Sequence, residues 1–267
     1  DEGGQVTIAA NDSLWSSAAI QVNGGNGRGG TLAITAANDL YFDQALLQAN
    51  GSTDGGAITL IANRGDLIIQ NSTIQTNGST GRGGSIAISA NNNVTINSTA
   101  IDATGYNQGG QILIGNDARN GTLPFALLTS IDEQSSINAA QLDQSQANQS
   151  GGLIETSGHT LNLLSSINAG RGGIWLLDPT DVVINTTAGT STGTDPLLFT
   201  NQTNISASQI QTAINNGISV QIIADGTITQ TANLSFAPSS GVAVSLTYDN
   251  RTGTAKAITL TGTTTNT

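Results

Sequence analysis

Acidic side chains are the residues of this sequence that come closest to a catalytic set. Asp102 can be grouped with Asp132 and Glu133, and Asp178 lies near Asp181 on the far side of a proline. Clustered carboxylates cleave polysaccharides when one acts as a general acid or when they hold Ca²⁺. However, the segment 178–181 has the composition of a turn. Asp102 also falls in a recurring column of amide residues, namely Gln21, Gln48, Gln75 and Asn138.

We therefore predict that the chain is not an enzyme. A carbohydrate-active enzyme, either a polysaccharide lyase or a hydrolase, is the alternative that these carboxylates leave open. The other reactive residue types are sparse, because the chain has one histidine, His159, and neither cysteine nor methionine. A lone histidine without a ligand pattern or an activated serine makes neither a metal site nor a catalytic triad. We expect no metal and no cofactor, and we expect His159 to lie in a surface turn.

The charge balance argues against a nucleic-acid partner. The 267 residues include 7 basic and 18 acidic side chains, which gives a formal net charge of −11. A chain this acidic has no electrostatic footprint for a phosphate backbone. The apolar runs are all shorter than a membrane-spanning helix requires.

Pairs of adjacent glycines recur along the chain at nearly constant spacing. They begin at residues 3, 29, 55, 83, 109, 151 and 172, so the spacings are 26, 26, 28, 26, 42 and 21 residues. An apolar residue stands two positions after each pair, and in most repeats a second apolar residue follows two positions later. Such alternation turns one face of a strand inward. A fixed period of this length indicates a repeat architecture.

Two further apolar columns follow within each repeat. They contain Leu14, Leu40, Leu67 and Val94 in one case, and Ile20, Leu47, Ile74, Ile101, Ile137 and Ile167 in the other. Three short strands per repeat, separated by Gly, Asn, Ser or Asp turns, describe one coil of a three-sided solenoid. The predicted fold class is therefore all-β, a parallel β-helix (β-solenoid) with about 26 residues per coil.

Polar residues at the predicted corners repeat with a similar period. Stacked asparagine amides can hydrogen-bond between successive coils. The predicted structural ladders are Asn23, Asn50 and Asn77 at one corner, and Asn38, Asn63 and Asn91 at another. The residues just before the first four glycine pairs alternate in charge and predict an exposed charge ladder of Glu2, Arg28, Asp54 and Arg82. Each such surface pair contributes only ~0–1 kcal/mol.

The regular pattern is interrupted in two places. The spacing of 42 residues predicts an insertion near 117–150, which either serves binding or is simply tolerated. After residue 184 a Thr- and Ser-rich stretch is typical of a linker. Ser206 and Gly217 then frame apolar residues at helical spacing, which predicts one short helix near 207–216, capping or flanking the solenoid. The predicted organisation is β-helix coils over 1–184, and the linker, the helix and further coils over 185–267.

The segment from Gly151 to Ile184 resembles a known family. It reads GGLIETSGHTLNL and then GGIWLLDPTDVVI, which is similar to large filamentous-haemagglutinin-like exoproteins, the surface adhesins exported by two-partner secretion. The repeats of residues 1–116, with segments such as Thr99–Gly105, resemble the same family. The resemblance implies a right-handed parallel β-helix that forms a long extracellular shaft in Gram-negative bacteria, and an outer-membrane transporter as partner. The family's secretion domain is not recognisable before residue 1, so we expect a piece of a longer polypeptide.

These observations together predict an adhesin or surface-filament shaft that is secreted or displayed on the cell surface of a Gram-negative bacterium. It would mediate attachment or build biofilm or fibres. The sequence does not specify the ligand among host cells, matrix and polysaccharide. Open coil ends would also permit head-to-tail self-association. The candidate glycosylation sites are Asn71, Asn97 and Asn120, in sequons that turn preferences explain equally well.

Overall fold

The structure is a computed structural model that describes residues 1–116, 121, 123–143, 145, 150–186, 203–238, 242–250, 258–262 and 264–266. Each of the first six coils contributes three short strands. In chain order these are β1 (Gln5–Ala10), β2 (Leu14–Ser16), β3 (Ala19–Gln21), β4 (Thr31–Ala36), β5 (Leu40–Asp43), β6 (Leu46–Gln48), β7 (Ala57–Ala62), β8 (Leu67–Gln70), β9 (Thr73–Gln75), β10 (Ser85–Ala90), β11 (Asn93–Asn97), β12 (Ala100–Asp102), β13 (Gln111–Ile114), β14 (Leu128–Ile131), β15 (Ser136–Asn138), β16 (Leu153–Gly158), β17 (Thr160–Leu163) and β18 (Ser166–Asn168).

The rest of the described chain contains one helix among further strands. These elements are β19 (Ile174–Pro179), β20 (Val182–Asn185), β21 (Thr203–Ser206), α1 (Ala207–Asn215), β22 (Ser219–Ala224), β23 (Ile228–Gln230), β24 (Leu234–Phe236), β25 (Leu246–Asn250), β26 (Ile258–Leu260) and β27 (Thr264–Asn266).

Every third strand pairs in parallel with its equivalent in the next coil, so the strands form three faces. The first face has nine strands in the order β1-β4-β7-β10-β13-β16-β19-β22-β25. The second face begins with β2-β5-β8-β11-β14-β17, and the third with β3-β6-β9-β12-β15-β18. The predicted parallel β-helix is confirmed.

The interior is built from the apolar columns that the sequence predicts. On the first face Leu32, Ile58 and Ile86 are in register, and each is almost fully buried. Leu40 and Leu67 stack in the same way on the second face, as do Leu47 and Ile74 on the third. Strand alternation turns these residues inward, and each coil buries them against its neighbours.

A column of buried hydroxyl groups, the hydroxyl ladder, lies at the corner where the chain passes from the second face to the third. It consists of Ser72, Thr99, Ser135 and Ser165. Ala45 N donates to Ser72 Oγ (3.0 Å), and Thr99 N donates to Ser135 Oγ (3.1 Å). Ser72 Oγ in turn donates to Gln70 O (2.6 Å). Each hydroxyl thus satisfies a buried backbone group that has no strand partner at the corner.

The extra residues near 117–150 do not form a single insertion. Strands β14 and β15 lie inside this range and keep the pattern of the preceding coil, with Ile131 and Ile137 buried. The additional length is divided between two connections, 115–127 before β14 and 139–152 after β15. The apolar columns hold the strands in place because inward residues at alternate positions must stay in register, so the added chain is accommodated at the corners.

Strands β20 and β21 stack in an order that reverses their order in the chain. They belong to a sheet with the order β21-β20-β23-β26. Thr203 at the start of β21 accepts a hydrogen bond from Leu161 N of β17 through its Oγ1 (2.9 Å). Strand β21 is therefore a layer inserted on the second face between β17 and β20.

Helix α1 occupies the corresponding layer of the third face, between β18 and β24. The predicted helix near 207–216 is confirmed, but it replaces a strand of the third face rather than capping or flanking the solenoid. Ser206 is its N-cap in a capping box with Gln209, and Gly217 follows it with φ 81°. A helix is about 10 Å across, or about two strand spacings, so α1 matches the height of β21 and β20 together.

Candidate functional site

The first predicted amide ladder connects coils through backbone groups. Asn50 N donates to Asn23 Oδ1 and Asn77 N to Asn50 Oδ1, both at 2.8 Å, and Thr104 N donates to Asn77 Oδ1 (3.1 Å). The side chains therefore stack, but the amide oxygens accept backbone N–H groups of the next coil rather than neighbouring amides. This column ties the glycine-rich corner together along the solenoid.

A column of glutamines, the glutamine ladder, stands beside it on the third face. Gln21 Nε2 donates to Gln48 Oε1 (2.5 Å), and Gln48 Nε2 donates to Gln75 Oε1 (2.6 Å). Asp102 is the next residue in register, and its carboxylate accepts Thr104 N (3.0 Å) and Asn77 Nδ2 (3.1 Å). Asp102 is thus part of the amide network that links coils.

The second predicted asparagine ladder is out of register by one residue. Ala36, Ala62 and Ala90 are aligned on the first face, so Asn63 and Asn91 follow them at the same corner position. Asn38 lies one residue further along and donates from Nδ2 to Asp12 Oδ1 (2.6 Å). Asn63 Nδ2 donates to Ala36 O (3.0 Å). The coil lengths of 26 and 28 residues at this corner account for the offset.

The charge column stacks in the predicted order. Gly3 N donates to Arg28 O, Gly29 N to Asp54 O and Gly55 N to Arg82 O, so these corner residues lie above one another. The Asp54 carboxylate accepts Arg82 N (2.7 Å), and Arg28 Nε lies 3.5 Å from Gly55 O. Both contacts are with backbone atoms rather than with an opposite charge.

The paired glycines form the floor of an open groove along this corner, the glycine groove. Two cavities of about 410 and 300 Å³ lie in it, the first beside Arg82 and Gln108 and the second beside Glu2, with Arg28 on both. Glycine is required here by coil packing, because a Cβ on Gly29 would lie 2.0 Å from Ala49 O. Acidic and basic side chains alternate along the rim, so the groove does not present the uniform charge that an ionic polymer would recognise.

The carboxylates that resemble a catalytic set do not converge. Asp132 accepts Ser98 N (3.0 Å) and Ser135 Oγ (2.6 Å) at the corner before the third face, whereas Asp102 lies at the far end of that face. Glu133 is exposed and accepts Gln134 Nε2 (2.9 Å). Asp181 accepts Thr227 Oγ1 (2.8 Å) in the turn before β20. Among the described residues, no group of three or more His, Cys, Asp or Glu side chains is placed to share a metal ion.

Two carboxylates are buried on the outer side of the first face. Asp178 belongs to β19 rather than to a turn, is 2% exposed and lies in register with Ser157 of β16. Ser157 Oγ donates to Oε1 of Glu155, which is fully buried. Sequence reasoning did not select Glu155. The signal available was a single acidic residue at an outward position between the inward Ile154 and Thr156.

The remaining predicted sites lie apart from one another. His159 is exposed, with Nδ1 3.0 Å from Thr180 Oγ1 and its ring against Phe125 (centroids 4.5 Å apart). Asn71 is exposed and donates from Nδ2 to Asp43 Oδ1 (2.9 Å). Asn97 is half-buried, and Thr99 of its sequon is a buried member of the hydroxyl ladder. Asn120 lies outside the described residues.

The sequence matches no family model, and comparisons with curated proteins and with solved structures found no match either. The resemblance to filamentous-haemagglutinin-like exoproteins therefore rests on the sequence segments that carry it. Within the described ranges, no helix has the length and apolar character needed to cross a membrane.

Proposed function

We propose that this chain is a segment of an extracellular shaft, either of an adhesin or of a surface filament exported by two-partner secretion. The observation that carries the proposal is the first face, in which nine strands stack in parallel. With strands about 4.8 Å apart, the nine layers extend for roughly 40 Å. Each coil contacts its neighbours, so reach grows simply by adding coils.

The surface of the first coils supports this role. Their outward positions carry side chains such as Gln21, Gln48 and Gln75, which are linked to one another, and the charged residues of the corner contact the backbone. Such contacts hold successive coils together. An acidic surface with a net charge of −11 also keeps neighbouring rods apart. The transporter as partner, an extracellular location and attachment to a host cell, matrix or polysaccharide follow from the sequence resemblance and belong to the same proposal.

The experiment is immunogold electron microscopy of the source cells with antibody raised against residues 1–184. Cells from which the gene has been deleted provide the control. The proposal predicts gold particles strung along fibres that leave the cell surface. Label confined to the cytoplasm, or soluble protein in the medium without fibres, would contradict it.

The enzymatic alternative is tested on the purified chain. Asp102, Asp132, Glu133 and Asp178 are replaced together by Ala, and polysaccharide cleavage is compared with that of the unaltered chain. A shaft cleaves nothing in either form. Turnover that the substitutions abolish, in a variant whose circular dichroism is unchanged, would establish the enzyme instead.

A further inference from the structure

An open cleft of about 310 Å³ lies where the third face changes from strand to helix, between β18 and α1. The cause is the helix itself. Backbone groups within a helix bond to one another, so α1 does not continue the ladder that β18 would offer to another strand. A round helix against a flat strand also leaves space that two strands would fill.

The cleft has a polar rim and an apolar floor. The rim carries the exposed side chains Ser166, Asn168, Ser208, Thr212 and Asn216. The lining also includes Ile167 and the buried residues Ala213 and Trp175, the latter donating from Nε1 to Thr156 Oγ1 (3.1 Å). None of the residues lining the cleft is charged.

Ser165 provides a second, independent observation at the same place. It is the last member of the hydroxyl ladder, 5% exposed, and it lines the cleft. Its Oγ is buried without a hydrogen-bond partner, whereas Ser72 Oγ and Ser135 Oγ each accept a backbone N–H from the neighbouring coil. A buried hydroxyl without a partner costs about 1–3 kcal/mol, so a hydroxylated ligand at the inner wall offers this position a compensating bond.

We propose that the cleft binds one unit of a neutral saccharide. Hydroxyl and amide side chains both donate and accept hydrogen bonds, as sugar hydroxyls do. An apolar floor suits the C–H face of a sugar ring, and the absence of charge favours a neutral over an anionic unit. The volume lies at the small end of the range for ligand pockets, about 300–1,000 Å³. This inference does not depend on the shaft proposal, because it concerns binding by the isolated chain.

The experiment uses the full chain carrying Trp15→Phe, which leaves Trp175 as its single tryptophan. Trp15 is 73% exposed on the second face, so its replacement leaves the cleft intact. The probes are the methyl glycosides of glucose, galactose, mannose and N-acetylglucosamine, with methyl glucuronide as the anionic comparison. At least one neutral glycoside is expected to change Trp175 fluorescence saturably and to shift the amide resonances of Ile167 and Thr212.

Two helix variants place the binding in the cleft. Thr212→Val removes one rim hydroxyl at nearly constant shape and is expected to weaken binding about fivefold. Thr212→Phe fills the cleft and is expected to abolish binding, whereas Gln211→Phe, on the same helix but outside the cleft, is expected to leave it unchanged. Absence of a saturable signal with all four neutral glycosides would overturn the proposal, as would equal affinity in Thr212→Phe. Preference for the glucuronide would overturn the assignment to a neutral sugar.

Discussion

Residues 1–110 and residues 153–238 are built on the same first face, yet they treat the other two faces differently. In the first region all three faces repeat from coil to coil, and amide and hydroxyl ladders run along the corners. In the second, β21 is inserted out of chain order and α1 replaces a strand. The first face continues through both regions. One face is therefore sufficient to propagate the solenoid, while the others can change.

The difference also separates two ways of treating polar groups. In the regular region a side-chain oxygen at a corner meets the backbone N–H of the next coil, as Asn23 Oδ1 meets Asn50 N. At the interruption the next layer offers no equivalent donor, and Ser165 Oγ is left without a partner. Interrupting the repeat thus opens the cleft.

The largest expected effect comes from comparing the two tryptophans, one in each region. Trp175 is 1% exposed and bonded to Thr156, whereas Trp15 is 73% exposed. Trp175→Ala should lower the free energy of unfolding by about 4 kcal/mol through the cavity it leaves. Trp15→Ala should cost about 1 kcal/mol or less, since it loses mainly the ring contact with Tyr41. Urea unfolding followed by circular dichroism measures both, and equal losses would contradict the difference in burial.

Glycine substitutions test how tightly the coils pack in the regular region. A Cβ on Gly29 would lie 2.0 Å from Ala49 O, whereas a Cβ on Gly25 meets nothing within 4 Å. Gly29→Ala is therefore expected to destabilise the chain by about 3 kcal/mol, because backbone atoms of the next coil must move. Gly25→Ala should change stability by less than about 0.5 kcal/mol. Thermal unfolding midpoints compare the two, and a well-tolerated Gly29→Ala would refute the close approach of the coils.

The hydroxyl ladder allows the same substitution to be made in both regions. Ser72→Ala leaves Ala45 N and Gln70 O without their hydroxyl partner and should cost about 1–2 kcal/mol. Ser165→Ala removes a hydroxyl that has no partner and is expected to be neutral or slightly stabilising. Paired urea unfolding curves give the difference. A cost for Ser165→Ala equal to that for Ser72→Ala would show that the ladder continues past β18.

The smallest effect is confined to alkaline pH. Burial raises the pKa of Tyr248 from 10.0 to about 12, and its hydroxyl donates to Gln230 Oε1 (2.9 Å). The folded state therefore favours the neutral phenol. Its contribution to stability is complete below pH 10 and is lost as the pH rises through about 12. Tyr248→Phe should flatten the unfolding midpoint across this range, and an unchanged slope would contradict the assignment.

The regular region could be predicted from sequence because its determinants are local. Glycine pairs, alternating apolar residues and turn residues repeat within each coil, so the columns through Leu32, Leu40 and Leu47 follow from spacing alone. The helix was also predictable, since Ser206 and Gly217 mark its ends. The offset of Asn38 could not be predicted from a spacing of about 27 residues, because coil lengths at this corner vary between 26 and 28.

The stacking order of β20 and β21 was likewise hidden. Both have the alternating pattern of a strand, and nothing in that pattern states which layer each will occupy. The choice depends on contacts between residues distant in the chain, such as Leu161 with Thr203. The cleft follows from that choice, so no local motif announces it.

The inserted layer can be tested most directly by disulfide formation, because the chain has no cysteine of its own. Val183 and Asn204 are partners on adjacent parallel strands, whereas Asn162 of β17 is separated from Val183 by β21. Strands about 4.8 Å apart place a cysteine pair within disulfide reach, and a second spacing does not. Our account predicts that the pair Val183→Cys and Asn204→Cys oxidises readily, while the pair Asn162→Cys and Val183→Cys remains reduced. A disulfide in the second pair and none in the first would show that the coils stack in simple chain order.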